Sequence, residues 1–284
     1  MITGAKGQVG CELVQLCEER GLNYVAFDSK GLDITDEQAV MECVKREQPS
    51  VIINAAAYTA VDKAEGDPNA AFAVNAEGPK YLALAAKAGN AKLIHISTDY
   101  VFDGEKDGAY TIDDEPNPIN VYGASKLAGE LAVQTTDKSA VIIRVAGVFG
   151  IAGDNFVKKI ISRARATGEL TIVDDQFVGP TAAALIAEFA VLQLAVTKLK
   201  GLLHLEVENH FSWSQYAKQI VGIAEGMGVL RGGVNIKSIS ASAFEAAAKR
   251  PRKVRLVGVR VDFEHSLAMY IKQTITSIDF ERAD

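Results

Sequence analysis

Short apolar, β-branched runs recur along the chain, namely NYVAF (23–27), SVIINAAA (50–57), AKLIHIS (91–97), AVIIRVAG (140–147) and GLLHLEV (201–207). Helix-forming stretches separate them, over about 9–20, 36–47, 68–88, 123–134, 155–167, 182–198 and 213–226. Strands that are apolar on both faces, joined by crossover helices, bury themselves in a parallel sheet covered on both sides. The pattern therefore predicts an α/β, Rossmann-like doubly wound fold. From about 149 the rhythm loosens into GIAGDN, DDQFVGPT and EVENHFSW. This predicts a dinucleotide-binding domain over 1–148, with returns at about 181–226, and a smaller interleaved C-terminal substrate lobe over 149–284.

With 284 residues, 48% of them hydrophobic, the chain has ample material for such a core. A net charge of −6 argues against nucleic acid or an anionic membrane as partner, since both demand an excess of Lys and Arg. Cys11, Cys17 and Cys43 lie in helical stretches without C-x-x-C spacing, and MITGAKGQ has no charged-then-apolar signal pattern. A reducing, cytoplasmic location is the simplest expectation. AAALIAEFAVLQLAV (182–196) carries Glu188 and Gln193 and falls short of the roughly 20 apolar residues a membrane span requires, so it reads as a buried helix.

TGAKGQVG sets Gly4, Gly7 and Gly10 immediately before a helix from about Val9. Such glycines either make a simple turn or let the backbone approach a pyrophosphate that the helix N-terminus then holds. The second strand ends at Asp28, where a carboxylate can accept the hydroxyls of an adenosine ribose. Asp33, in LDITD, can meet an adenine, while Asp33 or Thr35 can also cap the following helix. Lys30 could face a 2′-phosphate that Asp28 would repel, so NADPH and NADH both stay open as cofactor. Only Met1, Ile2 and Thr3 precede Gly4, so either the first strand is clipped or the natural chain begins earlier.

NAAAYTAVD ends the third strand, and small residues Ala55 to Ala57 suit either a close dinucleotide or ordinary helix packing. STDYVFDG puts Ser97, Thr98 and Asp99 at the carboxyl end of the fourth strand, the edge where parallel sheets bind ligands. In VYGASKLAGE, Tyr122 and Lys126 share one helix face. Moving a phenol from near 10 toward 7 takes roughly 4 kcal/mol, which Lys126 and an oxidised nicotinamide together could supply. The tyrosine could then protonate a carbonyl oxygen as hydride arrives. An isolated Y-x-x-x-K is an ordinary helix start; its place after the other segments, in this order, favours the chemical reading.

These segments resemble the extended short-chain dehydrogenase/reductase family, and within it the dTDP-4-dehydrorhamnose reductases. TGAKGQVG, LDITD, NAAAYTAVDKAE, ISTDYVFDG, INVYGASKLAGE, NFVKKI, VDDQF and SWSQYAKQI carry the resemblance over most of residues 1–226. It implies hydride transfer to C4 of a dTDP-4-dehydro-L-rhamnose nucleotide sugar, giving dTDP-L-rhamnose. Tyr122 would be the proton donor, with Lys126 on the nicotinamide ribose and Thr98 at the third catalytic position. Gly7, Gln8, Val9, Asp28, Asp33, Ile34 and the segment Ala57, Tyr58 and Thr59 match cofactor-holding positions. Asp99, Asn155 and Gln176 match segments that approach the sugar. A reductase or epimerase of another nucleotide sugar, or a dinucleotide-binding regulatory subunit without turnover, are the alternatives.

The chain also departs from the family's pattern. RVAGVFG has Gly147 where the family carries a tryptophan that packs against the sugar. Some members join two subunits through magnesium held by glutamates. Glu12 matches one such position, but Ala184 stands at another, so no metal site is expected and a homodimer stays open. The basic stretch with Lys249, Arg250, Arg252, Lys253, Arg255 and Arg260 reads as a solvated face, a diphosphate clamp or, last, a nucleic-acid patch. His95, His204, His210 and His265 are too scattered for a metal cluster, and Trp213 with Tyr216 reads as core.

Overall fold

In the computed structural model, which describes residues 1–243, 245–260 and 267–278, the apolar runs become strands of one parallel sheet. The first half consists of β1 (Ile2–Thr3), α1 (Gln8–Glu19), β2 (Ala26–Phe27), α2 (Glu37–Glu47), β3 (Val51–Asn54), α3 (Val61–Gly66), α4 (Pro68–Phe72), a π-helical turn (Ala73–Glu77), α5 (Gly78–Ala88), β4 (Lys92–Thr98), α6 (Val121–Thr136) and β5 (Val141–Val145). The second half consists of β6 (Val148–Phe149), α7 (Phe156–Thr167), β7 (Glu169–Val173), β8 (Phe177–Val178), β9 (Thr181–Ala182), α8 (Ala183–Glu188), β10 (Gly201–Glu206), β11 (Phe211–Ser212), α9 (Trp213–Gly226), β12 (Asn235–Ile239), β13 (Val259–Arg260) and α10 (Leu267–Thr276). The seven-stranded sheet runs β2-β1-β3-β4-β5-β10-β13, parallel throughout. The order reverses between β1 and β3, and the carboxyl ends beside such a reversal form the ligand crevice of open α/β sheets.

Both faces are covered, as strands without a polar side require. Val9, Leu13, Leu16 and Cys17 of α1 recur at helical spacing and bury one face together with Ile186 of α8. Val40, Cys43 and Val44 of α2, Leu82 and Ala86 of α5 and Val133 of α6 cover the other. Each fully buried aliphatic side chain contributes about 1.5–3 kcal/mol. Side-chain caps fix where helices begin: Asp36, Asn120, Asn155 and Ser212 each accept a backbone N–H of the first turn, worth about 1 kcal/mol apiece. The cap of α2 is thus Asp36, not Asp33 or Thr35. Asp33, three residues before that cap, instead accepts the N–H and hydroxyl of Thr35 at 2.9 and 2.7 Å, closing a local turn two residues on.

A second core joins Val157, Ile160 and Ile161 of α7, Tyr216 and Ile220 of α9, Leu170 of β7 and Ile271 of α10. The apolar stretch after 182 starts as α8 and changes at Phe189 to a π-helical turn ending at Leu194. The basic stretch runs back over the molecule as a strap. Arg250 pairs with Asp62 of α3, Arg260 pairs with Glu206 of β10, and Lys253 lies over the Phe177 ring. Among the described residues no helix is long and apolar enough to cross a membrane. His265 lies outside the described residues.

Candidate active site

The glycine loop between β1 and α1 is built for close backbone approach. Gly4 has φ +73°, and a Cβ there would stand 2.6 Å from the Ala56 nitrogen, so a side chain is excluded. Gly10 does not line the cavity; a Cβ on it would fall 2.0 Å from the Gly4 carbonyl oxygen, so its role is to seat α1 on the loop. Gly7 caps α1 without a side-chain acceptor, which leaves first-turn N–H groups available to an anion. The Gln8 Oε1 beside it is buried with no hydrogen-bond partner.

Two adjoining cavities meet at this loop. One, of about 460 Å³, is lined by Gly4, Gly7, Asp28, Asp33, Ile34 and Ala57, with Lys6 and Lys30 at its side. The Asp28 carboxylate is paired with Lys6 and accepts the N–H groups of Gly31 and Lys30 at 2.9 and 3.0 Å. Lys6, then these N–H groups, hold its carboxyl down at about 2. The other cavity, of about 520 Å³, shares Gly7, Ala55 and Ala57 and adds Gln8, Val9 and Thr59. The shared walls make one trench, and its glycine floor, open helix end and unpartnered Gln8 oxygen fit a dinucleotide.

At the far end of the second cavity stand Thr98, Asp99, Tyr122 and Lys126. Thr98 ends β4, and its hydroxyl donates to Asp99 Oδ1 at 3.1 Å and accepts from the Tyr100 N–H at 3.2 Å. Helix α6 starts close beside Tyr100, because a Cβ at Gly123 would come within 2.2 Å of the Tyr100 carbonyl. That approach sets the Tyr122 ring edge-on to Tyr100, with centroids 5.5 Å apart. Lys126, 2% exposed, donates to the Ile96 carbonyl at 2.7 Å.

The electrostatics here differ from the sequence expectation. Burial pushes the Tyr122 phenol up to about 12 and the Asp99 carboxylate raises it further, while a hydrogen bond with Thr98 opposes both. Lys126 is not among the groups that shift it; its ammonium donates to the Ile96 carbonyl. Tyr122 keeps part of its surface open to the cavity, which tempers burial without reversing its direction. Burial pushes Lys126 down to about 8, opposed by the Glu130 carboxylate, and pushes Asp99 up to about 7 against the hydrogen bond from Thr98. At neutral pH the trench therefore ends in a protonated phenol and a buried ammonium, an arrangement able to deliver a proton to a carbonyl oxygen.

A family model described as RmlD substrate binding domain matches residues 1–273. The dTDP-4-dehydrorhamnose reductase of Aggregatibacter actinomycetemcomitans is 39% identical over 258 residues, covering 88% of this chain and 87% of the relative. That of Escherichia coli (strain K12) is 36% identical over 264 residues, covering 90% and 88%. The chain belongs to this reductase family.

Solved structures in the family superpose closely. A dTDP-4-dehydrorhamnose reductase from Clostridium acetobutylicum is 37% identical with a TM-score of 0.85, covering 90% of this chain and 89% of that one. One from Bacillus anthracis, in complex with NADP, is 36% identical with a TM-score of 0.85, covering 91% and 89%. A Thermus thermophilus UDP-glucose 4-epimerase in complex with NAD, 20% identical with a TM-score of 0.76 and covering 97% of both chains, shares the fold.

Within the family pattern, Gly147 lines the second cavity at φ +51°. A Cβ there would sit 2.4 Å from Val178 Cγ2, so β8 occupies the space a side chain at 147 would use. Asn155 and Gln176 are absent from the cavity lining. Asn155 caps α7 and donates to the Gly150 carbonyl at 2.8 Å, and Gln176 reaches the Arg250 carbonyl at 3.4 Å. Tyr58 is likewise absent from the cavity lining, and its N–H and carbonyl are held by Asn75. Glu12 accepts weakly from the Ile151 N–H at 3.4 Å, and among the described residues no group of three His, Cys, Asp or Glu could hold a metal.

Sequence reasoning missed Lys6, Asn75, Glu130 and Arg144. Two carried a usable signal: Arg144 is a charge inside the apolar run AVIIRVAG, and Asn75 is a polar residue inside the apolar stretch AFAVNAEG. Buried polar groups of either kind require partners.

Proposed function

We propose that the chain catalyses NAD(P)H-dependent reduction of the 4-keto group of dTDP-4-dehydro-L-rhamnose to dTDP-L-rhamnose. The observation that carries this reading is the convergence of Thr98, Tyr122 and Lys126 at the end of a trench that begins at the glycine loop. The substrate assignment is supported by the reductases at 36–39% identity. When bound, the reduced nicotinamide supplies hydride.

In this reading Gly7, Gln8 and the first turn of α1 hold the pyrophosphate, Asp28 and Asp33 the adenosine end, and Ala57 and Thr59 the middle of the cofactor. Tyr122 is protonated at neutral pH and gives its proton to the oxygen at C4. Thr98 hydrogen-bonds the phenol and fixes its direction. Lys126 brings positive charge to the nicotinamide ribose and to the phenolate left behind. Residues 1–148 serve the cofactor and the lobe from 149 onward the sugar. The proposal extends to a cytoplasmic location and a homodimer; Ala184 breaks the glutamate set of the metal-linked members, so the reading includes no resident metal.

One observation favours a second substrate. Gly147 removes a flat wall from the cavity, which suits reduction of a differently shaped nucleotide sugar. A coupled assay decides: purified protein with dTDP-4-dehydrorhamnose and NADPH or NADH, following loss of the reduced nicotinamide. Oxidation with either cofactor supports the reading, and no oxidation with both rejects it.

A further inference from the structure

Arg144 is a charged side chain in the middle of an apolar strand, and it is 2% exposed. Its guanidinium grips Glu130 in two places, Nε to Oε1 at 2.9 Å and Nη2 to Oε2 at 2.6 Å. Ser97, the register partner of Arg144 across β4 and β5, donates its hydroxyl to the same Oε1 at 2.5 Å. On the far side, His204 Nδ1 lies 3.2 Å from the Tyr110 carbonyl, an acceptor only, so that nitrogen carries the proton. His204 Nε2 then accepts from Arg144 Nη1 at 3.3 Å. Burial, followed by Arg144, pushes His204 down to about 4, so it adds no charge.

Glu130 follows Lys126 by one helical turn, and both reach the end of β4. Lys126 takes the Ile96 carbonyl and Glu130 takes the next residue's hydroxyl. Arg144 pairs with the buried Glu130 carboxylate directly, while the Lys126 ammonium, one turn away and hydrogen-bonded to Ile96, feels the same carboxylate at longer range. An ion pair of this kind is commonly no more stabilising than apolar side chains of the same volume. Stability alone gives little reason to bury Glu130 here, whereas an ammonium that must stay charged beside a cavity gives a direct one.

We propose that Glu130, fixed by Arg144 and Ser97 one helical turn from Lys126, is a positioning residue that holds the Lys126 ammonium protonated at the cavity, where the Ile96 carbonyl aims it. This rests on the reading above only in that Lys126 contacts the cofactor. Tyr122 and Glu130 face Lys126 from α6 and the neutral, fully buried His95 from β4, while Arg144 of β5 faces Glu130. Glu130 is thus the anion available to it among these groups.

The test reads cofactor affinity, which does not depend on the sugar reduced. NADPH and NADH fluorescence titrations run from about pH 6 to 10, and wild-type affinity falls as Lys126 loses its proton. Without the carboxylate the buried cation is less favoured, so in Glu130→Gln the fall moves about one pH unit lower, and Glu130→Asp moves it back. If Glu130→Gln fails to fold, Glu130→Met with Arg144→Met removes both buried charges. That variant shows a smaller shift in the same direction, since the repulsion from Arg144 goes as well. A folded variant without the carboxylate that keeps the wild-type midpoint overturns the proposal, as does a uniform loss of affinity at every pH. A shifted midpoint in a protein that reduces no dTDP-4-keto sugar would reject the proposed function while leaving the role of Glu130 standing.

Discussion

The side-chain amide of Asn75 clasps both peptide groups of Tyr58, its Oδ1 accepting the N–H at 2.8 Å and its Nδ2 donating to the carbonyl at 3.0 Å. The same Nδ2 reaches Ser125 Oγ at 2.9 Å, and Ser125 donates to the Tyr122 carbonyl at 2.8 Å. Asn75 lies in the π-helical turn between α4 and α5, where the helix is locally widened. One buried amide thus ties the segment after β3 to the first turn of α6.

Asn75→Ala should therefore act on both. Stranding the buried partners costs roughly 2–4 kcal/mol, at about 1–3 per unsatisfied group. Urea denaturation should show that loss, and cofactor affinity should fall with it because Thr59 lines the cavity directly after Tyr58. A variant of wild-type stability would show that the clasp contributes nothing.

Tyr122→Phe removes the phenolic proton while keeping the ring against Tyr100. Turnover of the dTDP-4-keto sugar should drop about a hundred- to ten-thousand-fold, the range for a lost general acid. Cofactor affinity, measured by nicotinamide fluorescence, should be unchanged. Equal turnover by the variant would assign the proton to another group.

Asp28 and Lys6 should set cofactor preference together. The carboxylate repels a 2′-phosphate, while Lys6, exposed and paired with it, can turn to meet one. Asp28→Asn should raise the NADPH-to-NADH ratio of kcat/KM about tenfold, and Lys6→Ala should lower it. Opposite movements would reverse these roles.

The doubly wound order, the glycine loop and the Tyr122–Lys126 pair were legible because each rests on a local rule: apolar periodicity, tight-turn chemistry or helical spacing. What escaped depends on contacts far apart in the chain. Lys126 is held by Ile96 and Asp28 is claimed by Lys6, and neither contact follows from spacing along a helix or strand. Asp36 is hard to single out as the α2 cap because Asp33 and Thr35 offer equivalent oxygens three residues and one residue earlier, and only the path of the loop chooses among them. The strap role of Arg250 likewise needs Asp62, which lies in α3, far away along the chain.

Asp99 predicts a pH effect. Its folded-state carboxyl is pushed up to about 7 by burial, whereas an unfolded aspartate titrates near 4. The native state holds this proton more tightly, so its stabilising effect is full below about pH 4 and is lost as pH rises to about 7. Asp99→Asn should flatten that slope by on the order of 2–4 kcal/mol. Chemical denaturation of both proteins across the window measures the difference, and parallel curves would show that Asp99 stays ionised.

Gly147 supplies the last test, because its left-handed φ of +51° and the 2.4 Å approach of its virtual Cβ to Val178 Cγ2 both exclude a side chain. Gly147→Trp alone should destabilise the protein by about 2–4 kcal/mol, adding backbone strain to overpacking. Pairing it with Val178→Ala removes the side-chain clash but leaves the strain and the 3.1 Å approach to the Gly179 carbonyl oxygen, so only part of the stability should return. If the cavity then takes the aromatic wall, KM for dTDP-4-dehydrorhamnose should fall several-fold with kcat unchanged, the signature of added uniform binding. A single variant as stable as wild type would mean that β8 yields freely at Val178, and the missing tryptophan would then have no steric cause.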